Sequence, residues 1–121
     1  MTKLILAALL SLLASTAYAQ TISVDINRAK IAWDWAQGTG GVPTEFRVKC
    51  GNATGVYTKI TVLAGIAVRE ANVRDVITGS GNWFCAVSSA NQFGESVMSN
   101  EVPFSAGAAP SSPTNTRVTA Q

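Results

Sequence analysis

The chain has 121 residues, contains no histidine, has two cysteines and carries a formal net charge of +2. The lack of histidine excludes Ser-His and Cys-His catalytic pairs and histidine-based metal sites, and so small a charge gives no reason to expect nucleic acid as a partner. The seven carboxylates are scattered along the chain. We therefore expect a protein that is not an enzyme and uses no cofactor or metal.

The N-terminus has the pattern of a secretory signal peptide. Lys3 precedes an apolar run over residues 4–13, and Ala17-Tyr18-Ala19 offers a small-residue cleavage site before Gln20. The run is too short to span a bilayer, which takes roughly 20 residues. Residues 1–19 are therefore predicted to be removed on export, which leaves no membrane span and places the protein in the periplasm, at the cell surface or outside the cell.

Short runs of alternating apolar and polar residues follow one another along the exported part, as is typical of half-buried β-strands. Glycine-rich turns separate them, most clearly at residues 37–43. A strand follows that loop where a phosphate site would need a helix, so phosphate binding is not expected. Five strands are predicted before the last hairpin, at residues 21–26, 31–35, 46–50, 56–63 and 68–77.

The most informative stretch covers residues 83–102. Its apolar or small residues fall at every second position as far as Ser89, and the chain then turns at residues 91–94 before a return strand. The stretch resembles the last hairpin of fibronectin type III domains in the spacing of Asn91, Gly94, Ser96, Ser99 and Val102. The resemblance implies an all-β fold for residues 20–104, a seven-stranded fibronectin type III or immunoglobulin-like β-sandwich.

The resemblance also assigns places to two tryptophans. Trp35 occupies the position of the second-strand tryptophan that fills the core of these domains. Trp83 stands where the family usually has a tyrosine, whose hydroxyl ties down the corner before the sixth strand. An indole N–H at this position can still reach a backbone carbonyl, so we expect Trp83 to make a similar bond with different geometry.

Both cysteines, Cys50 and Cys85, lie in the exported part, so a disulfide bond is expected in an oxidising compartment. A reactive thiol is the alternative, but no histidine is present to activate it. The resemblance implies that the third and sixth strands are antiparallel neighbours, which sets Cys50 opposite Cys85 and Val48 opposite Val87. A true immunoglobulin domain fits less well, because both early tryptophans precede Cys50.

We therefore predict a non-enzymatic, exported binding or adhesion module. The alternative is a structural or assembly component of a cell surface or a virion. The partner is expected to be a protein or a glycan, contacted by the loops at residues 37–43, 63–68 and 91–96, which should share the end of the sandwich opposite the disulfide. The candidate contact residues are Thr39, Val42, Ile66, Gln92 and Phe93.

Two features leave alternatives open. Phe93, at the tip of its loop, either contacts a partner or folds back onto Val42 or Ile66 as a small apolar cluster. Residues 105–121 are rich in Ala, Ser, Pro and Thr, so a flexible tail is expected. Residues 116–120, with Val118 as the clear apolar anchor, could instead add as a strand to the sheet edge of a neighbouring subunit, which would make the tail a route to self-association.

Overall fold

The computed structural model describes residues 21–120, so the predicted signal peptide, residues 1–19, lies outside the described residues. The described chain is an all-β protein with eight strands and one helical turn, and no helix in it is long and apolar enough to cross a membrane. The elements are β1 (Ile22–Asp25), β2 (Lys30–Ala32), β3 (Glu45–Gly51), β4 (Lys59–Ala64), β5 (Glu70–Asn72), α1 (Val73–Val76), β6 (Gly81–Asn91), β7 (Gly94–Glu95) and β8 (Val102–Gly107).

Strand pairing in residues 21–120 produces two sheets of unequal size. The larger has the order β1-β8-β6-β3-β4, with β7 added beside β6, and the smaller consists of β2 and β5. β1 runs parallel to β8, and the other pairs are antiparallel. Buried side chains from both sheets form a single core, so the architecture is a β-sandwich.

The pairing of β3 with β6 is the centre of the larger sheet. Val48 lies opposite Val87 and Cys50 opposite Cys85, which confirms the register expected from the sequence. Phe46, Val48 and Cys50 are at most 2% exposed, whereas the residues between them face outward. Alternation along β3 therefore has the cause assumed in the sequence analysis, which is that one face of the sheet meets the core.

The predicted fifth strand, residues 68–77, is replaced beyond Asn72 by the helical turn α1. Val76 and Ile77 are consecutive, yet they are 0% and 3% exposed. A strand would send two consecutive side chains to opposite faces of its sheet, whereas positions three and four residues after Val73 share one face of a helical turn. The turn therefore buries all three side chains in the core.

Three strand boundaries also differ from those predicted. β2 ends at Ala32, before both early tryptophans, and β4 begins at Lys59. β8 runs three residues past Phe104, as far as Gly107, because residues 104–107 pair in parallel with β1. Gly51 closes β3 where a Cβ atom would lie 1.7 Å from the carbonyl oxygen of Val56, so no larger residue fits there.

Candidate binding end of the sandwich

Three loops meet at one end of β3, which we call the loop end: residues 33–44, 65–69 and 91–96. The Asn91 side-chain amide donates to the carbonyl oxygen of Val42 at 3.0 Å. The backbone N–H of Gly65 donates to Thr44 O, and that of Thr44 donates to Ala90 O, both at 2.9 Å. The disulfide lies at the other end of β3, so the loops occupy the end of the sandwich predicted from the sequence.

Phe93 lies at the tip of the turn between β6 and β7. The Asn91 side chain holds this turn, because its carbonyl oxygen accepts from the Phe93 backbone N–H at 2.9 Å while its amide nitrogen binds Val42. Gly94 has a φ of +143°, a conformation that a residue with a Cβ rarely adopts. The Phe93 side chain is 86% exposed, so it does not fold back onto Val42 or Ile66.

Phe93 separates two shallow clefts. One has a volume of about 400 Å³ and lies between Trp35, the glycine-rich loop and the residues of the β6–β7 turn. The other has a volume of about 650 Å³ and is lined by Val42, Thr44 and Gln92, among others. Because the ring borders both clefts, a partner that fills either one would contact Phe93.

The structure brings together three of the five predicted contact residues. Val42, Gln92 and Phe93 line the same cleft. Ile66 is 41% exposed on the neighbouring loop but lines neither cleft. Thr39 is exposed in the glycine-rich loop, where the adjacent glycines and not Thr39 border the cleft.

Trp35 packs against the core, as expected from the sequence, and it also lines the smaller cleft, which the sequence did not indicate. It is half-buried, and its ring packs against the Arg69 guanidinium, whose carbon lies 5.9 Å from the ring centroid. The signal that could have placed it is its position directly before the glycine-rich loop. Beyond the end of β2, a ring next to this loop borders the space that the loop leaves.

Glu95, an acidic residue of the loop end, is already paired. Glu95 accepts from Arg47 at 3.0 Å, from Lys49 at 2.6 Å, and from the Ser88 hydroxyl. The hydrogen bonds from Lys49 and Ser88 lower the pKa of Glu95 to about 2. The carboxylate therefore remains charged and bound to the outer face of the sheet at neutral pH.

Two serines join the return strand to β6 and explain the spacing of the hairpin. Ser96 receives the Ser89 N–H on its hydroxyl at 3.0 Å and donates its own N–H to Ser89 O at 2.8 Å. Ser99 does the same with Val87, at 2.9 and 2.8 Å. The return strand thus takes three residues for every two of β6, because each hydroxyl supplies the acceptor that a regular ladder would take from the backbone.

The opposite end of the strand pair, which we call the disulfide end, is held more firmly. Cys50 and Cys85 form a disulfide with their Cα atoms 4.2 Å apart. The Trp83 indole N–H donates to Gly79 O at 2.8 Å, so it does reach a backbone carbonyl as expected. Both cysteines and Trp83 are at most 3% exposed, which makes this end part of the core.

Glu101 forms hydrogen bonds with the loop after β3, beside the disulfide. Its carboxylate accepts from the Tyr57 hydroxyl at 2.6 Å and from the Gly55 backbone N–H at 2.9 Å. These bonds lower the pKa of Glu101, and the bond to the carboxylate raises the pKa of Tyr57 to about 12. The pair therefore joins the return strand to the loop after β3.

Among residues 21–120, no group of three or more His, Cys, Asp or Glu side chains lies close enough to hold a metal ion. The loop end offers an exposed aromatic ring, two clefts, glycine backbone and the side chains of Thr44 and Gln92 that line the larger cleft. Comparison of the chain with protein-family models, with curated proteins and with solved structures found no match in any of the three.

Proposed function

We propose that this protein is an exported, non-enzymatic binding module that presents its loop end to a partner. The observation that carries the proposal is the exposure of Phe93, a large apolar ring that is 86% exposed on a turn held by Asn91. Such a ring contributes little to the core of its own domain. An exposed aromatic residue on an ordered turn is a typical anchor for a partner with an apolar pocket.

The hydrogen bonds of the loop end favour a protein partner over a glycan. Both polar groups of the Asn91 amide are engaged within the domain, and Glu95 is bound by two cations and a hydroxyl. A glycan is recognised largely through free polar side chains next to an aromatic ring. Here Asn91 and Glu95 are occupied by bonds within the domain, so a partner meets mainly the ring, the glycine backbone and Gln92.

A fibronectin type III-like fold is the scaffold that we propose for this module. β7 and β8 are two parts of one interrupted return strand, which gives seven strands in residues 21–120. The assignment is supported by the bonds of Ser96 and Ser99 to β6 and by the bond from the Trp83 indole to Gly79, which precedes β6. Export is supported by the disulfide, since such bonds persist in oxidising compartments.

Capture from the envelope fraction of the producing cell tests the proposed site. We expect the wild-type protein to retain a defined partner and Phe93→Ala to lose it, with the melting temperature unchanged. Ile60→Ala is the control, because Ile60 is 55% exposed and pairs with Lys49, away from the loop end. Equal capture by wild type and Phe93→Ala would show that the loop end is not the binding site.

The second candidate is an assembly component of a cell surface or a virion. It is favoured by an uncovered apolar groove beside β1, which the loop end does not include. The two candidates use different surfaces of the same domain, so each can be tested separately.

A further inference from the structure

The smaller sheet leaves part of the larger sheet uncovered. In the described chain it has two strands, whereas the larger sheet has five in the order β1-β8-β6-β3-β4. Beside β2 this leaves a groove of about 220 Å³. Its apolar lining comes from Ile22, Val24, Ile31, Val73, Val102 and Phe104. Ile22 is 64% exposed and Val102 is 39% exposed, so apolar surface is open to water here.

One wall of this groove is the free edge of β2. All three residues of β2 line the groove. Because consecutive side chains of a strand lie on opposite faces, this indicates that the edge of β2, and not one of its faces, borders the groove. The Trp33 N–H donates to Arg69 O at 2.9 Å, so alternate residues of this stretch bond toward β5. The N–H and C=O groups of Lys30 and Ala32 therefore point to the groove, and within residues 21–120 β2 pairs with β5 alone.

The C-terminal tail has the composition of a strand that fits such an edge. Residues 108–120 are exposed and form no strand, and Val118 is 98% exposed. In an extended conformation, Val118 shares one face with Thr116 and Ala120, while Arg117 and Thr119 face the other way. Residues 116–120 contain no proline or glycine and are rich in β-branched residues, which favour strands.

We propose that residues 116–120 of one copy dock in the groove of a second copy as a third strand of its smaller sheet. The backbone would pair with the free edge of β2, and Val118 would cover the apolar groove beside Ile22. Within one copy the tail is exposed and the groove is open, so we place the contact between two copies. Ala109 and Ser112, which precede Pro110 and Pro113, favour an extended linker. Residues 108–115 in such a conformation span about 25 Å, enough to reach a neighbour.

The contact joins unlike surfaces, so each copy both donates a tail and receives one. Repeated without closure, this head-to-tail arrangement makes linear chains of subunits. A five-residue strand with one apolar anchor binds weakly, so the mass of the assemblies should rise with protein concentration.

A pair of complementary variants of the exported chain tests the proposal by light scattering after size-exclusion chromatography. Val118→Asp disables the tail and leaves the groove intact, whereas Ile22→Asp disables the groove and leaves the tail intact. We expect the wild type to form assemblies that grow with concentration and each variant to be a monomer. A mixture of the two should form a one-to-one dimer and nothing larger, because just one productive contact remains.

Val97→Asp is the matched control, because Val97 is 90% exposed and lies outside both the groove and the tail. It should assemble like the wild type, and so should Phe93→Ala, which separates this contact from the loop end. The proposal is overturned if the wild type is a monomer at all concentrations, if Val118→Asp still assembles, or if the mixture stays monomeric. A monomer with slowly exchanging amides at residues 117–120 would overturn it too, since the tail would then occupy its own groove.

Discussion

The two ends of the β3–β6 strand pair differ in how they are held. At the disulfide end, a covalent bond joins Cys50 to Cys85, and Glu101 ties the return strand to the loop after β3. At the loop end, two hydrogen bonds of the Asn91 side chain hold neighbouring turns, and the Phe93 side chain is 86% exposed. One strand pair therefore carries the fold at one end and is free to carry recognition at the other.

The difference has a plain physical cause. Side chains at the disulfide end are buried, so removing one leaves a cavity or an unpaired polar group. Several side chains at the loop end, Phe93 most of all, are exposed and contribute little to the free energy of unfolding. If this division is correct, substitutions along β6 and its return strand should cost less as they move from the disulfide toward Phe93.

Removal of the disulfide should have the largest effect. The double substitution Cys50→Ala with Cys85→Ala is expected to reduce the free energy of unfolding by roughly 3–4 kcal/mol, because the bond closes a loop between residues 35 positions apart. Urea unfolding of the variant, and of the wild type with and without reductant, measures this. An unchanged midpoint in the double variant would mean that the disulfide end does not anchor the fold.

The two serines of the return strand should differ in how much each contributes to the free energy of unfolding. Ser99→Ala removes the acceptor of the Val87 N–H in a residue that is 8% exposed, and should cost about 1–2 kcal/mol. Ser96→Ala does the same to Ser89, where water can take over the bond, and should cost less than about 1 kcal/mol. Equal costs, measured by urea unfolding, would contradict a gradient between the ends.

Acid should weaken the outer face of the sheet through Glu95. The pKa of Glu95 in the folded protein is about 2, below its ordinary value of 4.5, so its contribution is fully present above pH 4.5 and is lost as the pH falls toward 2. Glu95→Gln should therefore be less stable than the wild type at pH 7, and the two should converge near pH 2.

Urea midpoints between pH 7 and pH 2 measure that convergence. Glu70→Gln is the control, because Glu70 is bound to Lys30 in an ion pair whose side chains are both more than half exposed. Its difference from the wild type should be small at every pH. A gap between Glu95→Gln and the wild type that persists at pH 2 would show that Glu95 acts through packing and not through charge.

The smallest effect on stability is expected at the tip of the loop end. Phe93→Ala should change the free energy of unfolding by no more than about 0.5 kcal/mol, because the ring is 86% exposed. Thermal unfolding at neutral pH measures this directly. A drop of several degrees would place the ring in an apolar cluster with Val42 or Ile66 and remove the contrast between the ends.

Much of the arrangement around the candidate site could be predicted from local pattern together with the resemblance of the last hairpin, which implied that β3 and β6 are antiparallel neighbours. Alternation in β3 and β6 assigns their buried faces, and the opposed pairs Cys50–Cys85 and Val48–Val87 confirm the predicted register. Once those strands are antiparallel, the loop before β3 and the loop after β6 must lie at the same end of the pair. This is why Val42, Gln92 and Phe93 were placed together correctly, whereas the cleft depends on distances that no pattern contains.

The sequence by itself determined the all-β class, the disulfide pair and the sides of the strands that face the core, because these follow from side-chain chemistry and from the two-residue repeat of a strand. Tertiary structure alone decided that α1 replaces the end of a strand, that Trp35 borders a cleft and that β1 pairs with β8 and not with β2. Alternation specifies which face of a strand is buried, and it reads the same whichever neighbour the strand pairs with. The groove beside β2 follows from that choice of neighbour, which only the packing of the whole chain makes.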